Sequence, residues 1–132
     1  MLHIDIVCVG KIRESYLKDA IAEYQKRLSK YCILNIIELP DEKLPSKLND
    51  SLSFEIKQKE SNLILSHIKK DSYIIALDLK GKNYTSTQFS EKIQNLSLIT
   101  SHITFLIGGT LGMTDELLAN AKELICFSKM TF

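Results

Sequence analysis

Apolar residues follow two different periods along this chain. Five short runs rich in β-branched residues predict strands, at residues 2–9, 33–39, 73–79, 103–107 and 124–127. Between these runs, apolar residues recur every three or four positions, which is the pattern of one face of a helix. The regular alternation of strand and helix predicts an α/β fold with a mainly parallel sheet flanked by helices.

The segments between the strands predict where helices and turns begin. The first helix follows Glu14, and three tyrosines at helical spacing are predicted to pack in the core or at an interface: Tyr16, Tyr24 and Tyr31. Asp50 or Ser51 is placed to cap a second helix that runs to about residue 69, and a third helix begins at Ser86. Residues 80–82, Lys-Gly-Lys, predict a tight turn after the third strand.

Glycines follow the fourth predicted strand, where Gly108 and Gly109 come directly after the apolar run. In open parallel sheets, ligands bind beyond the carboxyl ends of the strands. Three loops fall there, at residues 77–81, 108–112 and 127–132. None of them contains a dinucleotide-binding or Walker-type glycine pattern. The loops therefore favour an adenosine-type ligand held by its base edge over a phosphate-led site.

The composition predicts one globular domain, residues 1–132, with 45% hydrophobic and 25% charged residues. The net charge is only +1, so an RNA-binding surface has to be a local patch or be completed by a partner chain. Cys8, Cys32 and Cys126 form no Cys-x-x-Cys pair, so we expect buried free thiols and no metal site. No apolar run approaches the length of a membrane span, and we expect a soluble cytoplasmic protein.

Five segments of the chain resemble, in the same order, those of one methyltransferase family. They are VCVGKIRESYLKDAIAEYQKRLSKY, IIELPDEK, ALDLKGK, FLIGG and FSKMTF. The chain resembles the ribosomal large-subunit methyltransferase H family, small pseudouridine N3-methyltransferases of the SPOUT superfamily. This resemblance implies S-adenosylmethionine-dependent methylation of N3 of a pseudouridine in 23S ribosomal RNA of the large subunit. It also implies a cytoplasmic homodimer with a trefoil-knotted fold, a topology that is otherwise nearly absent from proteins.

The family's cofactor contacts, carried over to matching positions, fall on three stretches of this sequence. They are Leu77, Gly108 and the run Phe127, Ser128, Lys129, Met130, Thr131 and Phe132. The resemblance implies that backbone groups of these loops hydrogen-bond the adenine and the ribose, while Leu77, Met130 and Phe132 wall the pocket. On the same grounds, a side chain at Gly108 would fill the space of the ligand. The resemblance identifies no catalytic residue within residues 1–132.

Charged residues near these loops have two expected roles. Asp78, which follows Leu77, is a candidate for a structural role. Five basic residues lie on loops that are predicted to share one rim, where they could contact the phosphate backbone of RNA: Lys11, Arg13, Lys80, Lys82 and Lys129.

Family members continue beyond the FSKMTF segment with a Pro-His pair, a last helix and a Tyr-His-Lys-like tail. On the resemblance, that segment completes the knot, covers the cofactor and carries the residues most credited with RNA contact and catalysis. We therefore expect an incomplete knot, an exposed apolar patch and weak or absent methyl transfer by the 132-residue chain.

Two alternative functions remain open on the sequence. The first is a non-catalytic SPOUT domain that binds cofactor or dimerises without turnover. The second, a flavodoxin-like nucleotide-binding fold, is less favoured. It would need a hydroxyl-rich phosphate loop after the first strand, and Gly10-Lys11-Ile12-Arg13 stands there instead.

Overall fold

The five apolar runs form five strands in the computed structural model, which describes residues 1–130. We number them β1 (Leu2–Val9), β2 (Cys32–Leu39), β3 (Tyr73–Asn83), β4 (His102–Ile107) and β5 (Glu123–Cys126). They form one sheet in the order β2-β1-β4-β3-β5, and every strand pairing is parallel. The predicted α/β fold with a parallel sheet is confirmed, while the trefoil knot stays a prediction.

The strand order excludes the flavodoxin-like alternative. That fold has the order 2-1-3-4-5, in which the third strand lies beside the first. Here β4 lies between β1 and β3, and its residues pair with both neighbours along almost its whole length. Hydrophobic periodicity predicts which segments are strands, but it does not specify which strands become neighbours.

Four helices connect the strands in the described part of the chain. They are α1 (Ser15–Leu28), α2 (Asp50–Ser66), α3 (Ser86–Ser97) and α4 (Asp115–Ala119). The predicted N-cap of α2 is wrong by one or two residues, because the cap is Asn49. Asn49 has an extended backbone, and its Oδ1 accepts from the backbone N–H of Leu52 at 2.7 Å. The start of α3 is as predicted and is fixed by a capping box between Thr85 and Gln88.

The sheet is covered by a separate apolar cluster on each face. On one face Val7, Leu106 and Ala76 pack with Ile64 of α2 and Leu117 of α4. The other face carries the second cluster, which α3 covers through Leu96, and it contains Ile75, Ile103, Phe105, Leu96 and Ile125. Two covered faces are the usual arrangement of a parallel sheet, and they account for the continuous apolar runs of the central strands.

Helix α1 packs differently from the prediction. It lies next to the edge strand β2 and contains no buried residue. Tyr16, Tyr24 and Tyr31 are 63–75% exposed, so the predicted packing in the core of the chain is wrong. An edge strand offers a helix less surface than the centre of a sheet does, which leaves the tyrosine face in solvent. Packing of these tyrosines at an interface stays a prediction.

The three cysteines form no disulfide. Cys32 and Cys126 are buried, as predicted, whereas Cys8 is half-buried on β1. Burial, followed by the nearby carboxylate of Glu38, raises the pKa of the Cys8 thiol and so disfavours its reactive thiolate. Helices α1 to α4 in the described residues all lack the combination of length and apolar character that a membrane crossing requires.

A hydrogen-bonded ion pair ties α3 to the start of β5. Lys92 Nζ lies 2.7 Å from a carboxylate oxygen of Glu123, and the Tyr84 hydroxyl donates to the other oxygen. Burial, the largest influence, raises the pKa of the Glu123 carboxyl. The hydrogen bonds from Lys92 and Tyr84, with the charge of Lys92, outweigh burial, and the pKa lies below its ordinary value. The carboxylate is therefore the favoured form in the folded chain.

The lowered pKa of Glu123 predicts a stability difference that depends on pH. A carboxyl whose pKa is lower in the folded chain stabilises it above the unfolded pKa of about 4.3, and this contribution is lost as the pH falls through the folded pKa. We expect Glu123→Gln to lower the free energy of unfolding near neutral pH by about 1–2 kcal/mol. The difference from the parent should shrink as the pH falls below about 4. Urea unfolding followed by circular dichroism measures both values.

Glu91→Gln on the exposed side of α3 is the matched control and should change stability little at either pH. A Glu123→Gln deficit that stays constant from neutral to acidic pH would contradict this account of the ion pair.

Candidate functional site

The three segments singled out in the sequence lie on three adjacent strands, one as an interruption within β3 and the other two as the loops after β4 and β5. Leu77 of β3 is in register with Ile107 of β4 on one side and with Ile125 of β5 on the other. The loop after β4 therefore begins, at Gly108, one residue beyond the position that pairs with Leu77. The loop after β5 begins, at Phe127, two residues beyond Ile125. The carboxyl ends of parallel strands are where α/β proteins bind ligands, so we treat this edge as the candidate site.

The predicted turn at residues 80–82 is wrong, because β3 continues through it to Asn83. The register with β5 is interrupted between Leu77 and Lys82, and both of these residues align with Ile125. The intervening residues, 78–81, form a bulge, and the side chain of Asp78 accepts from the backbone N–H of Lys80 at 3.0 Å. Asp78 thus has the structural role that was predicted for it.

Gly81 explains why the chain returns to β5 after the bulge. A Cβ atom at Gly81 would lie 2.6 Å from backbone atoms of Ile125 and Leu124. Backbone atoms in a paired strand cannot move aside as a flexible side chain can, so a residue with a side chain does not fit. The Lys-Gly-Lys pattern looks locally like a turn, but the close approach to β5 makes it part of the strand.

A cleft of about 210 Å³ opens between the β3 bulge and the loop after β5. It is lined by Leu77, Asp78, Leu79, Ile125, Cys126, Phe127 and Ser128. We call it the Leu77–Phe127 cleft. Phe127 is 66% exposed and meets the ring of Phe89 edge-on at 6.0 Å between centroids. The structure therefore brings together three of the predicted cofactor residues, Leu77, Phe127 and Ser128.

Internal hydrogen bonds shape the loop that follows β5. The side-chain amide of Asn83 donates to the carbonyl of Cys126 at 2.8 Å. Ser128 accepts twice, through its carbonyl from the Cys126 thiol at 3.1 Å and through its hydroxyl from the backbone N–H of Met130 at 3.0 Å. Lys129 and Met130 are exposed. The last two predicted residues, Thr131 and Phe132, lie outside the described residues.

The glycine loop, residues 108–112, turns tightly after β4. The N–H of Gly112 donates to the carbonyl of Gly109 at 2.9 Å, and Gly112 has a φ of +83°, where a side chain is strained. A Cβ at Gly108 would lie 2.9 Å from the side chain of Met113 and 3.0 Å from the backbone of Gly112. The protein itself therefore needs a glycine here. That a ligand also needs this space stays a prediction.

The predicted basic rim is only partly free of other contacts. Lys80 Nζ lies 3.8 Å from the carboxylate of Asp115, with both groups exposed, and Lys82 Nζ lies 5.2 Å from the centre of the Tyr84 ring. Lys11 and Arg13 are exposed on the loop after β1. Exposed pairs of this kind are weak, so Lys80 stays available to a phosphate group.

Two residues of α2 contact the candidate site without having been predicted to do so. Glu60 and Ser61 are both buried and lie against the glycine loop and the residues after it. The sequence carried a signal for Glu60, because Ile56, Glu60 and Ile64 are four residues apart and share one helical face. A carboxylate within an apolar stripe is unusual enough to mark a contact with polar groups.

An open apolar groove of about 390 Å³ runs from the Leu77–Phe127 cleft over the sheet face towards α1. It is lined by Ile4, Ile6, Leu28, Cys32, Leu34, Leu77, Phe89, Ile93, Phe105, Ile107 and Phe127. The groove is an apolar surface among the described residues, while its link to the segment that family members carry after FSKMTF stays a prediction. Residues 1–130 contain no group of three or more His, Cys, Asp or Glu side chains placed to hold a metal ion.

The fold and the cleft define an α/β protein with a candidate ligand site at the carboxyl edge of a parallel sheet. Comparisons with known proteins agree on its class. The family model described as "Predicted SPOUT methyltransferase" matches residues 2–132. Ribosomal RNA large subunit methyltransferase H 1 of Clostridium perfringens (strain SM101 / Type A) is 52% identical over 132 residues, covering 99% of this chain and 83% of the relative. Ribosomal RNA large subunit methyltransferase H of Clostridium botulinum (strain Kyoto / Type A2) is 57% identical over 134 residues, with the same two coverages.

The chain therefore belongs to the SPOUT methyltransferase family, and within it to the ribosomal RNA large subunit methyltransferase H group. The resemblance drawn from the five sequence segments is confirmed. The match spans nearly the whole chain, so the strands and loops that form the candidate site all lie within the matched region.

The contact between Gly81 and β5 generates a stability prediction. We expect Gly81→Ala to lower the free energy of unfolding by about 2–4 kcal/mol, because the added methyl group has no flexible neighbour to displace. Leu79→Ala is the control in the same bulge, and it should cost little because Leu79 is 63% exposed. Urea denaturation of both variants makes the comparison. If Gly81→Ala were as stable as Leu79→Ala, the close approach could not be what extends β3.

Proposed function

We propose that this protein transfers the methyl group of S-adenosylmethionine to N3 of a pseudouridine in 23S ribosomal RNA, acting as a cytoplasmic homodimer. The observation that supports this most is that the β3 bulge and the loops after β4 and β5 lie on adjacent strands in a chain that belongs to a methyltransferase family. The names of the two relatives refer to ribosomal RNA of the large subunit. At 52% and 57% identity, we extend that substrate to this chain.

The Leu77–Phe127 cleft has the character that an adenosine-type ligand needs. Its walls are mainly apolar, and the exposed ring of Phe127 can cover a planar base. We propose that backbone groups near Leu77, Gly108 and residues 127–132 bind the adenine and the ribose. Lys129, Met130, Thr131 and Phe132 belong to the same proposed contact set, with Met130 and Phe132 as further walls.

When bound, the cofactor supplies an electrophilic methyl group on a sulfonium. The contribution of this chain is to align the attacking nitrogen with that methyl group and to keep water out. The bulge held by Asp78 and the loop held by Ser128 fix the two walls of the cleft through internal hydrogen bonds. Such pre-formed walls reduce the ordering that binding would otherwise require.

The RNA-binding surface has to be local, because the chain carries a net charge of only +1. Lys11, Arg13, Lys80 and Lys129 are exposed cations on loops and are the proposed contacts to phosphate groups. Dimerisation would double this surface. The apolar groove and the exposed tyrosines of α1 support a homodimer, since large apolar patches usually mark interfaces.

Calorimetric titration with S-adenosylmethionine tests the cofactor site. We expect binding on the order of micromolar, and we expect Phe127→Ala to weaken it by up to about tenfold, because stacking on one aromatic ring contributes about 0.5–1.5 kcal/mol. Gly108→Val should abolish binding, because the larger side chain meets Met113 and Gly112 and displaces the loop.

Leu98→Ala is the matched control, since Leu98 is 82% exposed at the end of α3 and lies outside the cleft. Its affinity should equal that of the parent. Phe127 is itself 66% exposed, so its variant is expected to fold, and equal binding by Phe127→Ala and the parent would exclude the Leu77–Phe127 cleft.

A transfer assay tests the substrate. We expect large ribosomal subunits that lack the modification to be the acceptor, and the weak transfer expected of the 132-residue chain should be detectable with a labelled methyl group. Nucleoside mass spectrometry should then place the label on a pseudouridine. Because N3 is the proposed acceptor, the product should be 3-methylpseudouridine. Label on any other nucleoside would contradict the proposed substrate, and cofactor binding without any transfer would support the non-catalytic alternative.

A further inference from the structure

A buried carboxylate on α2 faces the glycine loop. Glu60 is 4% exposed, although Glu is rarely buried without a partner. Its Oε2 accepts from the backbone N–H of Glu42 at 3.0 Å, in the segment that follows β2. Among the ion pairs of the described residues, none includes Glu60. Burying an ionised carboxylate without a cation is costly, so its polar contacts have to account for its presence.

The second oxygen of Glu60 lies against Gly109. A Cβ atom at Gly109 would be 2.8 Å from Glu60 Oε1 and 3.3 Å from its Cδ. The carboxylate thus occupies the space that the missing side chain of Gly109 leaves. One carboxylate therefore touches the segment after β2 with one oxygen and the glycine loop after β4 with the other.

The segments on either side of Glu60 do not fill the space between them. A cavity of about 210 Å³ separates residues 41–44 from Thr110 and Leu111, and Glu60 forms part of its wall. The glycine loop therefore has no continuous packing on this side. The contact with Glu60 is consequently well placed to set the position of the loop.

Ser61, the next residue of α2, contacts the far end of the segment that connects β4 to α4. Its hydroxyl accepts from the backbone N–H of Thr114 at 3.0 Å, and the Thr114 hydroxyl in turn accepts from the N–H of Leu117 to cap α4. Two consecutive residues of α2 therefore hold the connection between β4 and α4, one near its start and one at its end. The helix acts as a fixed support because Ile56 and Ile64 anchor it in the core.

We propose that Glu60 is a positioning residue that fixes the glycine loop in the form that binds the cofactor, with Ser61 fixing the end of the same connection. The proposal rests on the proposed function, because the loop matters for catalysis only if Gly108 contacts S-adenosylmethionine. Glu60 acts through the loop and need not touch the cofactor or the reacting atoms.

Two readouts test the proposal, namely amide hydrogen exchange of residues 109–114 and the dissociation constant for S-adenosylmethionine. Glu60→Ala should raise the exchange rates about tenfold or more and weaken binding about tenfold, because it removes both the carboxylate packed against Gly109 and the hydrogen bond that ties this carboxylate to Glu42. Glu60→Gln keeps the length and one acceptor oxygen, so it should stay within about threefold of the parent in both readouts. Ser61→Ala should raise exchange at Thr114 most.

Two further variants make the result decisive. Glu60→Asp keeps the charge but is one methylene shorter, so it should behave like Glu60→Ala if reach is what matters, and it can replace that variant if the alanine chain fails to fold. Glu55→Ala removes an exposed carboxylate from the same helix and should leave both readouts unchanged.

The outcomes separate this proposal from the proposed function. Unchanged exchange of residues 109–114 in Glu60→Ala and Glu60→Asp would overturn the positioning role, whether or not the parent binds S-adenosylmethionine. Faster exchange with an unchanged dissociation constant would overturn its link to the cofactor. A parent that shows no binding would contradict the proposed function. In that case faster exchange in Glu60→Asp than in Glu60→Gln would still establish Glu60 as the support of the loop.

Discussion

The burial of β4 on both faces is the constraint from which the rest of the structure follows. Ile103, Thr104, Phe105 and Leu106 are each at most 8% exposed, and the strand pairs with β1 on one side and β3 on the other. A strand in this position has to leave the sheet between two neighbouring strand ends. The glycine loop therefore emerges between the end of β1 and the Leu77 part of β3, with β5 one strand further along, and a ligand site at this edge would depend on the central place of β4.

Much of this fold was predictable from local sequence, for a physical reason. Strands covered on both faces need continuous β-branched runs, and β1 has the predicted bounds because its run ends at a glycine. Two features were not predictable. The order of the strands depends on which apolar faces meet in three dimensions. The path of β3 through Lys80, Gly81 and Lys82 depends on a contact with Ile125 that is distant in sequence, and this contact overrides a local turn pattern.

The loops of the candidate site were predictable from the sequence, but the contact of Glu60 with them was not. The sequence pointed to the loops that carry Leu77, Gly108 and Phe127, because glycines and apolar residues at strand ends indicate ligand loops. The family resemblance supplied the residues within them. Glu60 was missed because a charged residue in a helix is usually solvated, and only its place in the stripe of Ile56 and Ile64 distinguishes it. Helical periodicity can identify a charged residue on an apolar face, but only the structure shows that this residue contacts the glycine loop.

The glycines around the site show that its loops are shaped from within. The missing side chain of Gly81 admits the backbone of β5, that of Gly108 admits Met113, and that of Gly109 admits the carboxylate of Glu60. Each of these contacts lies between parts of the protein itself. Internal packing therefore shapes these loops. A ligand that enters such a site loses little free energy to loop ordering, because folding has already ordered the loops.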